Sequence, residues 1–98
     1  MTALFALGDD AYGLEGSVNG SGVPTAITGS MTWRVYGPAG FIASGTCTLF
    51  DSPTLTAVYK FIIPTSAPDF ARGKVYDVVL QYIVSAAARE SIHRFMLT

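Results

Sequence analysis

Apolar and polar residues alternate with a period of two along much of this chain, which is the pattern of β-strands that bury one face. The alternation is clearest in Ser30–Tyr36. Its apolar face carries Met31, Trp33 and Val35. We therefore predict a strand here, with Trp33 as an anchor of the core.

The longest alternating stretch is Lys74–Val84, which places Tyr76 and Leu80 on one face as predicted core residues. Because its opposite face also carries apolar residues, we expect this strand to be central and covered on both sides. A similar stretch, Leu55–Ile63, ends at Pro64 and carries one charge. Such a β-prone segment aggregates if it is left exposed, so it is expected to be central or paired across subunits.

Glycine, proline and asparagine divide the rest of the chain into short segments. Further candidate strands are Thr2–Leu7, Tyr12–Val18, Phe41–Ser44, Gly45–Phe50 and Glu90–Leu97. Predicted turns and loops between strands are Asn19–Gly22, Gly37–Gly40, Pro64–Ala71 (with room for one helical turn) and Ser85–Arg89. Seven or eight short strands with regular turns predict an all-β sandwich or barrel that forms a single domain over residues 1–98.

Composition agrees with this class, because Val, Ile, Thr and the aromatic residues make up 36 of 98 residues. Only 13% of residues are charged, about half of the roughly 25% that is typical. Charge normally keeps soluble proteins apart, so we expect a subunit of an assembly, and a homo-oligomer. The net charge of -1 excludes nonspecific electrostatic binding to nucleic acid or to an anionic membrane surface.

The residues that usually carry chemistry are few. Cys47 is the only cysteine and His93 the only histidine, so neither a disulfide nor a zinc site is expected. His93 could in principle act as a base for Cys47 or a serine. Because both lie in predicted strands, we interpret Cys47 as a buried small residue and His93 as a surface or interface residue. The sequence thus predicts no enzyme and no catalytic residue.

Two further motifs have structural interpretations. Asp9 and Asp10 form a carboxylate pair that Glu15 and Asn19 could extend, but the spacing matches no calcium loop, and adjacent acidic residues usually form turns. The Gly-x-Gly at 20–22 lacks the helix and the Lys that a phosphate loop needs. We predict no cofactor-binding residue, no cofactor and no metal site.

Aromatic side chains offer an alternative function, a glycan-binding surface. The candidate rings are Tyr36, Phe41, Tyr59, Phe61, Tyr76 and Tyr82. Most rings of a sandwich fill its core, so an exposed apolar patch on this chain is more typical of a protein contact. The N-terminal strand Thr2–Leu7 is in addition a candidate for strand addition to a neighbouring protein.

The N-terminal residues lack the basic segment of a secretory signal and soon reach two aspartates. No 20-residue apolar span is present, so a membrane helix is not expected. We therefore expect synthesis in a cytoplasm and no membrane partner.

The order of turns and strands resembles that of small immunoglobulin-like domains in virion proteins of tailed phages, such as the N-terminal domain of baseplate upper proteins. The resemblance covers about 11–97. It rests on the glycine turn 19–22, on Val23–Gly29 before the alternating strand, on Gly37–Gly40, on Pro64–Ser66 and on Phe70–Val78. Two positions depart from the pattern: Ala26 replaces an acidic or polar residue, and Gly73 and Tyr76 are one residue further apart than usual.

The resemblance implies an all-β, immunoglobulin-like antiparallel β-sandwich of seven to eight strands. It also implies a virion structural protein made in the host cytoplasm, with no catalytic residues. A small free-standing version would suit a capsid decoration (cement) subunit that binds other virion proteins, either the major capsid protein or a tail protein. The alternatives are a small tail, neck or baseplate component and a glycan-binding module for host recognition.

Overall fold

The computed structural model describes residues 2–50, 56–66 and 68–98. Eight strands occur there in chain order: β1 (Ala3–Phe5), β2 (Asp10–Gly16), β3 (Thr28–Gly37), β4 (Gly40–Thr46), β5 (Thr48–Leu49), β6 (Val58–Pro64), β7 (Val75–Val84) and β8 (Ala87–Leu97). The described residues contain no helix, so the predicted all-β class is confirmed. Instead of the helical turn considered for Pro64–Ala71, the described part of that connection has a turn at Pro68–Asp69.

The strands form two sheets that share one core. The large sheet has the order β1-β8-β7-β3-β4, and the small sheet has the order β2-β6-β5. The chain passes from the large to the small sheet at Cys47. The Cys47 N–H donates to the Met31 carbonyl at 2.8 Å, and the next two residues pair with β6. The prediction that the segment around β6 is central is confirmed, while Leu55 lies outside the described residues.

Inward-facing side chains of both sheets form the core, as the period-two pattern predicts. The predicted core residues Trp33, Tyr76 and Leu80 are confirmed, with 7%, 1% and 0% of their surface exposed. The small sheet contributes the inward face of β6: Tyr59, Phe61 and Ile63. Burying each large apolar side chain contributes about 1.5–3 kcal/mol to folding.

Two strand glycines make room for core rings. A Cβ on Gly45 would lie 2.4 Å from Cζ2 of Trp33, and a Cβ on Gly13 would lie 2.5 Å from Cζ of Phe61. Neither glycine has a positive φ, so the close approach of the ring, rather than the backbone conformation, requires glycine. The rings therefore pack directly against the backbone of the two edge strands β4 and β2.

A two-residue turn joins β7 to β8. Val84 pairs with Ala87, and the turn residues Ser85 and Ala86 have φ angles of 50° and 63°. Two consecutive positive φ angles are the geometry of a type I′ hairpin turn, which Asn and Gly usually supply. Because this turn contains neither residue, its sequence does not indicate a tight hairpin, and the predicted loop Ser85–Arg89 is too long.

Two other expectations are wrong. In the described residues no layer covers the outer face of β7, where Val75 and Ile83 are 43% and 45% exposed, although β7 is central. The arrangement is also not wholly antiparallel, because β1 runs parallel to β8, with Ala3 beside Phe95. A parallel pair needs a long connection, and almost the whole chain lies between these two strands.

Candidate functional site

A polar cluster joins the two sheets at one side of the sandwich. Glu15 on β2 extends inward from the small sheet, while Tyr82 on β7 and His93 on β8 extend inward from the large sheet. The Tyr82 hydroxyl donates to Glu15 Oε2 at 2.9 Å, and His93 Nε2 lies 2.8 Å from Glu15 Oε1. We name these three residues the Glu15 cluster.

The environment of the cluster keeps the Glu15 carboxyl ionised. Burial alone would raise its pKa, but hydrogen bonds from His93 and Tyr82, the nearby Ser91 hydroxyl and the charge of His93 outweigh burial and lower the pKa below 4.5. An ionised carboxylate only accepts hydrogen bonds, so His93 Nε2 carries the proton. Burial, together with the same carboxylate, raises the pKa of Tyr82 to about 12. Tyr82 is therefore a fixed donor at neutral pH.

A cleft of about 460 Å³ opens beside His93 between the two sheets. Its lining comes from both sheets and from the start of β1: Thr2, Ala3, Tyr12, Phe61, Ile92, His93, Arg94 and Phe95. The Phe61 ring meets the His93 ring edge-on, with centroids 5.3 Å apart. His93 is thus held from two directions, by the Glu15 carboxylate and by an aromatic ring.

The cleft does not bring the sequence-predicted nucleophile to His93. Cys47 is buried, as expected, and does not line the cleft. Burial and the charge of Glu15 raise the pKa of its thiol to about 11, so the reactive thiolate is scarce at neutral pH. The Ser91 oxygen is buried, and within the described residues it has no partner at hydrogen-bond geometry. Neither residue is arranged as an activated nucleophile.

The acidic residues considered as an ion site lie apart. Asp9 and Asp10 are exposed, and the Asp9 carbonyl accepts a hydrogen bond from Thr65. Glu15 faces the interior, while the Asn19 side chain accepts backbone N–H groups of its own turn. Among the described residues no group of three or more His, Cys, Asp or Glu side chains could hold a metal ion.

The six rings considered as a sugar platform also do not share one surface. Tyr59, Phe61 and Tyr76 are buried. Tyr36 and Phe41 instead form an edge-on pair beside the β3–β4 turn, with centroids 5.8 Å apart. Phe41 is 57% exposed, so this pair is the outermost part of the set.

The outer face of the small sheet carries a different group of rings. The Lys60 ammonium lies 5.2 Å from the Tyr12 ring centroid and 5.6 Å from that of Phe50. Leu14 and Ile62 are each 43% exposed beside them. We name these five residues the Lys60 face. It is mostly apolar, and its one charge is held between two rings.

The outer face of the large sheet exposes a second apolar set. Ile92 is 63% exposed and pairs with Val79 across β8 and β7, and Leu4 is 61% exposed on β1. Together with Val75 and Ile83 they form what we name the Ile92 face. An ion pair crosses this face, from Arg94 Nε to Asp77 Oδ1 at 2.7 Å. Large apolar side chains therefore occur on both outer faces of the sandwich.

Sequence reasoning missed the Glu15 cluster and the Lys60 face. One signal for the cluster was present, since Ala11, Gly13 and Glu15 share a side of β2 and the first of these is fully buried. A carboxylate in that row must find partners when the row turns inward. The partners are 67 and 78 residues away in the chain, so local patterns do not identify them.

Comparisons with known proteins give no relatives: no protein-family model, no curated protein and no solved structure matches this chain. In the part of the chain that the structure describes, no helix has the length and apolar character needed to cross a membrane.

Proposed function

We propose that this protein is a non-catalytic virion subunit with an immunoglobulin-like sandwich fold, and that it acts as a capsid decoration (cement) protein. It would bind neighbouring capsid proteins through apolar patches and strand pairing. A small tail, neck or baseplate component would use the same surfaces. The resemblance of the turn and strand order to phage virion domains supports this proposal, and so do the exposed surfaces.

The observation that carries the proposal is the presence of large exposed apolar side chains on both outer faces. A monomer that acts alone has little reason to expose Ile92 at 63% on the outer face of the large sheet and Ile62 at 43% on the outer face of the small sheet. A subunit held between neighbours needs contacts on more than one side. The Ile92 face and the Lys60 face supply two such contacts.

The size of the molecule is compatible with several contacts. A standard interface takes about 800 Å² per partner, roughly a seventh of the 5835 Å² accessible surface of this chain. Covering one exposed Ile side chain completely contributes about 1.5–3 kcal/mol to binding before the cost of association. Binding of this kind stabilises a shell by mass action, because a bound subunit favours the assembled state.

The test is binding of the purified protein to phage heads that lack it, measured by co-sedimentation. Ile92→Lys and Ile62→Lys place a charge in the Ile92 face and the Lys60 face respectively. We expect at least one of them to weaken binding about tenfold or more, since a buried unpaired charge is costly.

Ser21→Lys is the matched control, because it adds the same charge in an exposed turn. Circular dichroism and thermal melting confirm that each variant is folded. If the wild-type protein does not bind heads, or if both face variants bind as Ser21→Lys does, the cement proposal is wrong. Binding to isolated tails instead would support the tail component.

A glycan-binding module is the second candidate, and the Lys60 face favours it. Exposed rings on either side of a cation, Tyr12 and Phe50, are features of a shallow carbohydrate site. A glycan array tests this function directly. Glycan binding that Tyr12→Ala abolishes would support this function, whereas no binding to any glycan on the array would exclude it.

A further inference from the structure

We propose that β4 is a self-pairing edge, through which two copies of this chain join their large sheets into one continuous ten-stranded sheet. The two-fold axis would pass beside Gly45, so that Ser44 of one copy lies opposite Thr46 of the second copy. This inference does not rest on the proposed function, because it concerns the purified chain alone.

The first observation is that β4 has an open side. β4 is the last strand of the large sheet, and within the described residues it pairs only with β3. The Cys47 N–H donates to the Met31 carbonyl, so in this segment odd-numbered residues direct their backbone groups toward β3. Ser44 and Thr46 therefore direct their N–H and C=O groups outward, where a second strand can bind them.

The second observation is that this edge lacks the usual protection against pairing. Edges are normally guarded by charge, by proline or by being very short. From Gly40 to Phe50 the chain has no charged residue and no proline. The only irregularity in the pairing of β4 is a register shift near its first residues, at Val35/Tyr36 of β3, which leaves Ser44–Thr46 regular.

The other edges of the described structure are protected. β1 has three residues and β5 has two. β2 contains Asp10 and Glu15. The part of β8 that β1 leaves uncovered contains Arg89, Glu90 and Arg94. β4 is therefore the one long edge of the described residues on which a second copy meets no like charge.

The proposed register is fixed by the small side chains of β4. With the axis at Gly45, the two glycines face each other in a non-hydrogen-bonded pair, where strands come closest. On the outer face, Ser44 of each copy lies directly beside Thr46 of the other copy. Ser–Thr pairs across strands form side-chain hydrogen bonds. Four backbone hydrogen bonds link the two copies at these positions. Leu49, 62% exposed, lies on the same side of the sandwich, on the edge strand β5.

The test is sedimentation velocity over a concentration series, with two double variants that differ only at position 46. In S44E/T46E the carboxylate introduced at position 44 faces the carboxylate introduced at position 46 of the second copy. We therefore expect a dissociation constant at least about tenfold higher than that of the wild type. In S44E/T46K the same carboxylate faces an ammonium group, so we expect a dissociation constant equal to or below that of the wild type. In both variants the carboxylate at position 44 also lies beside Arg34 of its own chain.

A proline pair tests the location. Ser44→Pro removes an outward N–H from β4, and Ala88→Pro removes an outward N–H from the open part of β8. Edge strands tolerate proline at such positions, and thermal melting confirms that both variants are folded. We expect Ser44→Pro to be monomeric and Ala88→Pro to dimerise like the wild type.

Three results would overturn the proposal. A wild-type protein that stays monomeric at every concentration has no self-pairing edge. Equal dissociation constants for the folded S44E/T46E and S44E/T46K variants would exclude the register. A dimer that Ala88→Pro breaks and Ser44→Pro preserves would place the interface at β8.

Discussion

Replacement of Glu15 by glutamine tests whether the Glu15 cluster stabilises the contact between the two sheets. Glutamine has the same shape and can still bond Tyr82 and His93, but it carries no charge. Hydrogen bonds to charged groups contribute about 1.5–3 kcal/mol and neutral ones about 0.5–1.5 kcal/mol. The Glu15 side chain is 15% exposed and that of His93 32%, so solvent weakens the difference. We expect E15Q to lower the free energy of unfolding by about 1–2 kcal/mol at pH 7.

The lowered pKa of Glu15 determines how the stability of the protein changes with pH. The pKa of Glu15 is lower in the folded protein than its ordinary value of 4.5. A lowered carboxyl pKa contributes stability that is present above the unfolded-state pKa and is lost as the pH falls through the folded-state pKa. The stability of the wild type should therefore decrease as the pH falls from 7 to values below 4.5. E15Q should lose less stability over that range, because glutamine at position 15 does not titrate.

Urea unfolding at pH 7 and at pH 3, followed by tryptophan fluorescence, measures both effects. Glu90→Gln is the matched control, because Glu90 is exposed and accepts a hydrogen bond from the Gln81 side chain at 3.0 Å. A shift of 1 kcal/mol corresponds to about 4–8 °C in Tm for a domain of this size, so thermal melting provides a second measurement. If E15Q and E90Q have the same stability at both pH values, the cluster does not stabilise the sandwich.

Three further predictions concern the interior and the hairpin. Gly45→Ala places a Cβ 2.4 Å from the Trp33 ring and should lower the free energy of unfolding, measured in urea, by about 1–3 kcal/mol. Gly16→Ala, whose Cβ would have nothing within 4 Å, should lower it by less than about 1 kcal/mol, and equal losses would contradict the packing. Cys47, whose pKa is raised to about 11, should react with iodoacetamide at pH 7.5 far more slowly than free cysteine, and rapid labelling of the folded protein would contradict its burial. Ala86→Gly should raise Tm, because Ala86 has a φ of 63° and glycine adopts that angle without strain; a lower Tm would argue against the turn geometry.

The faces of individual strands can be predicted from the sequence, because burial on one side produces the period of two directly. Met31, Trp33 and Val35 on β3 illustrate this, and all three are buried. Tyr59 and Phe61 on β6 follow the same rule. These residues need no knowledge of which strand pairs with which.

The partners of each strand cannot be predicted in this way. β1 pairs with β8 across about 90 residues, and no local signal specifies that choice. The prediction that both faces of β7 are covered was wrong for a related reason. Val75 and Ile83 indicate a buried face, but the small sheet packs against the opposite face of β7. Apolar residues on an outer face look the same in sequence whether another layer of the same chain or another protein covers them.

The candidate site depends almost wholly on these distant pairings. Glu15 meets His93 only because the edges of β2 and β8 come to the same side of the sandwich. Likewise Tyr12 reaches Lys60 through the pairing of β2 with β6, in which Leu14 lies opposite Lys60. The sequence supplies the residue types, and the topology decides which of them meet.

We propose that this chain is a structural component of a virus particle, and its abundance in purified particles tests that proposal most directly. Quantitative mass spectrometry of purified tailed-phage particles whose genome encodes this chain would measure the ratio of this chain to the major capsid protein. A cement subunit predicts a ratio near that of a regular shell component, and a tail or neck component predicts a few copies per particle. Absence of the chain from purified, intact particles would contradict the account.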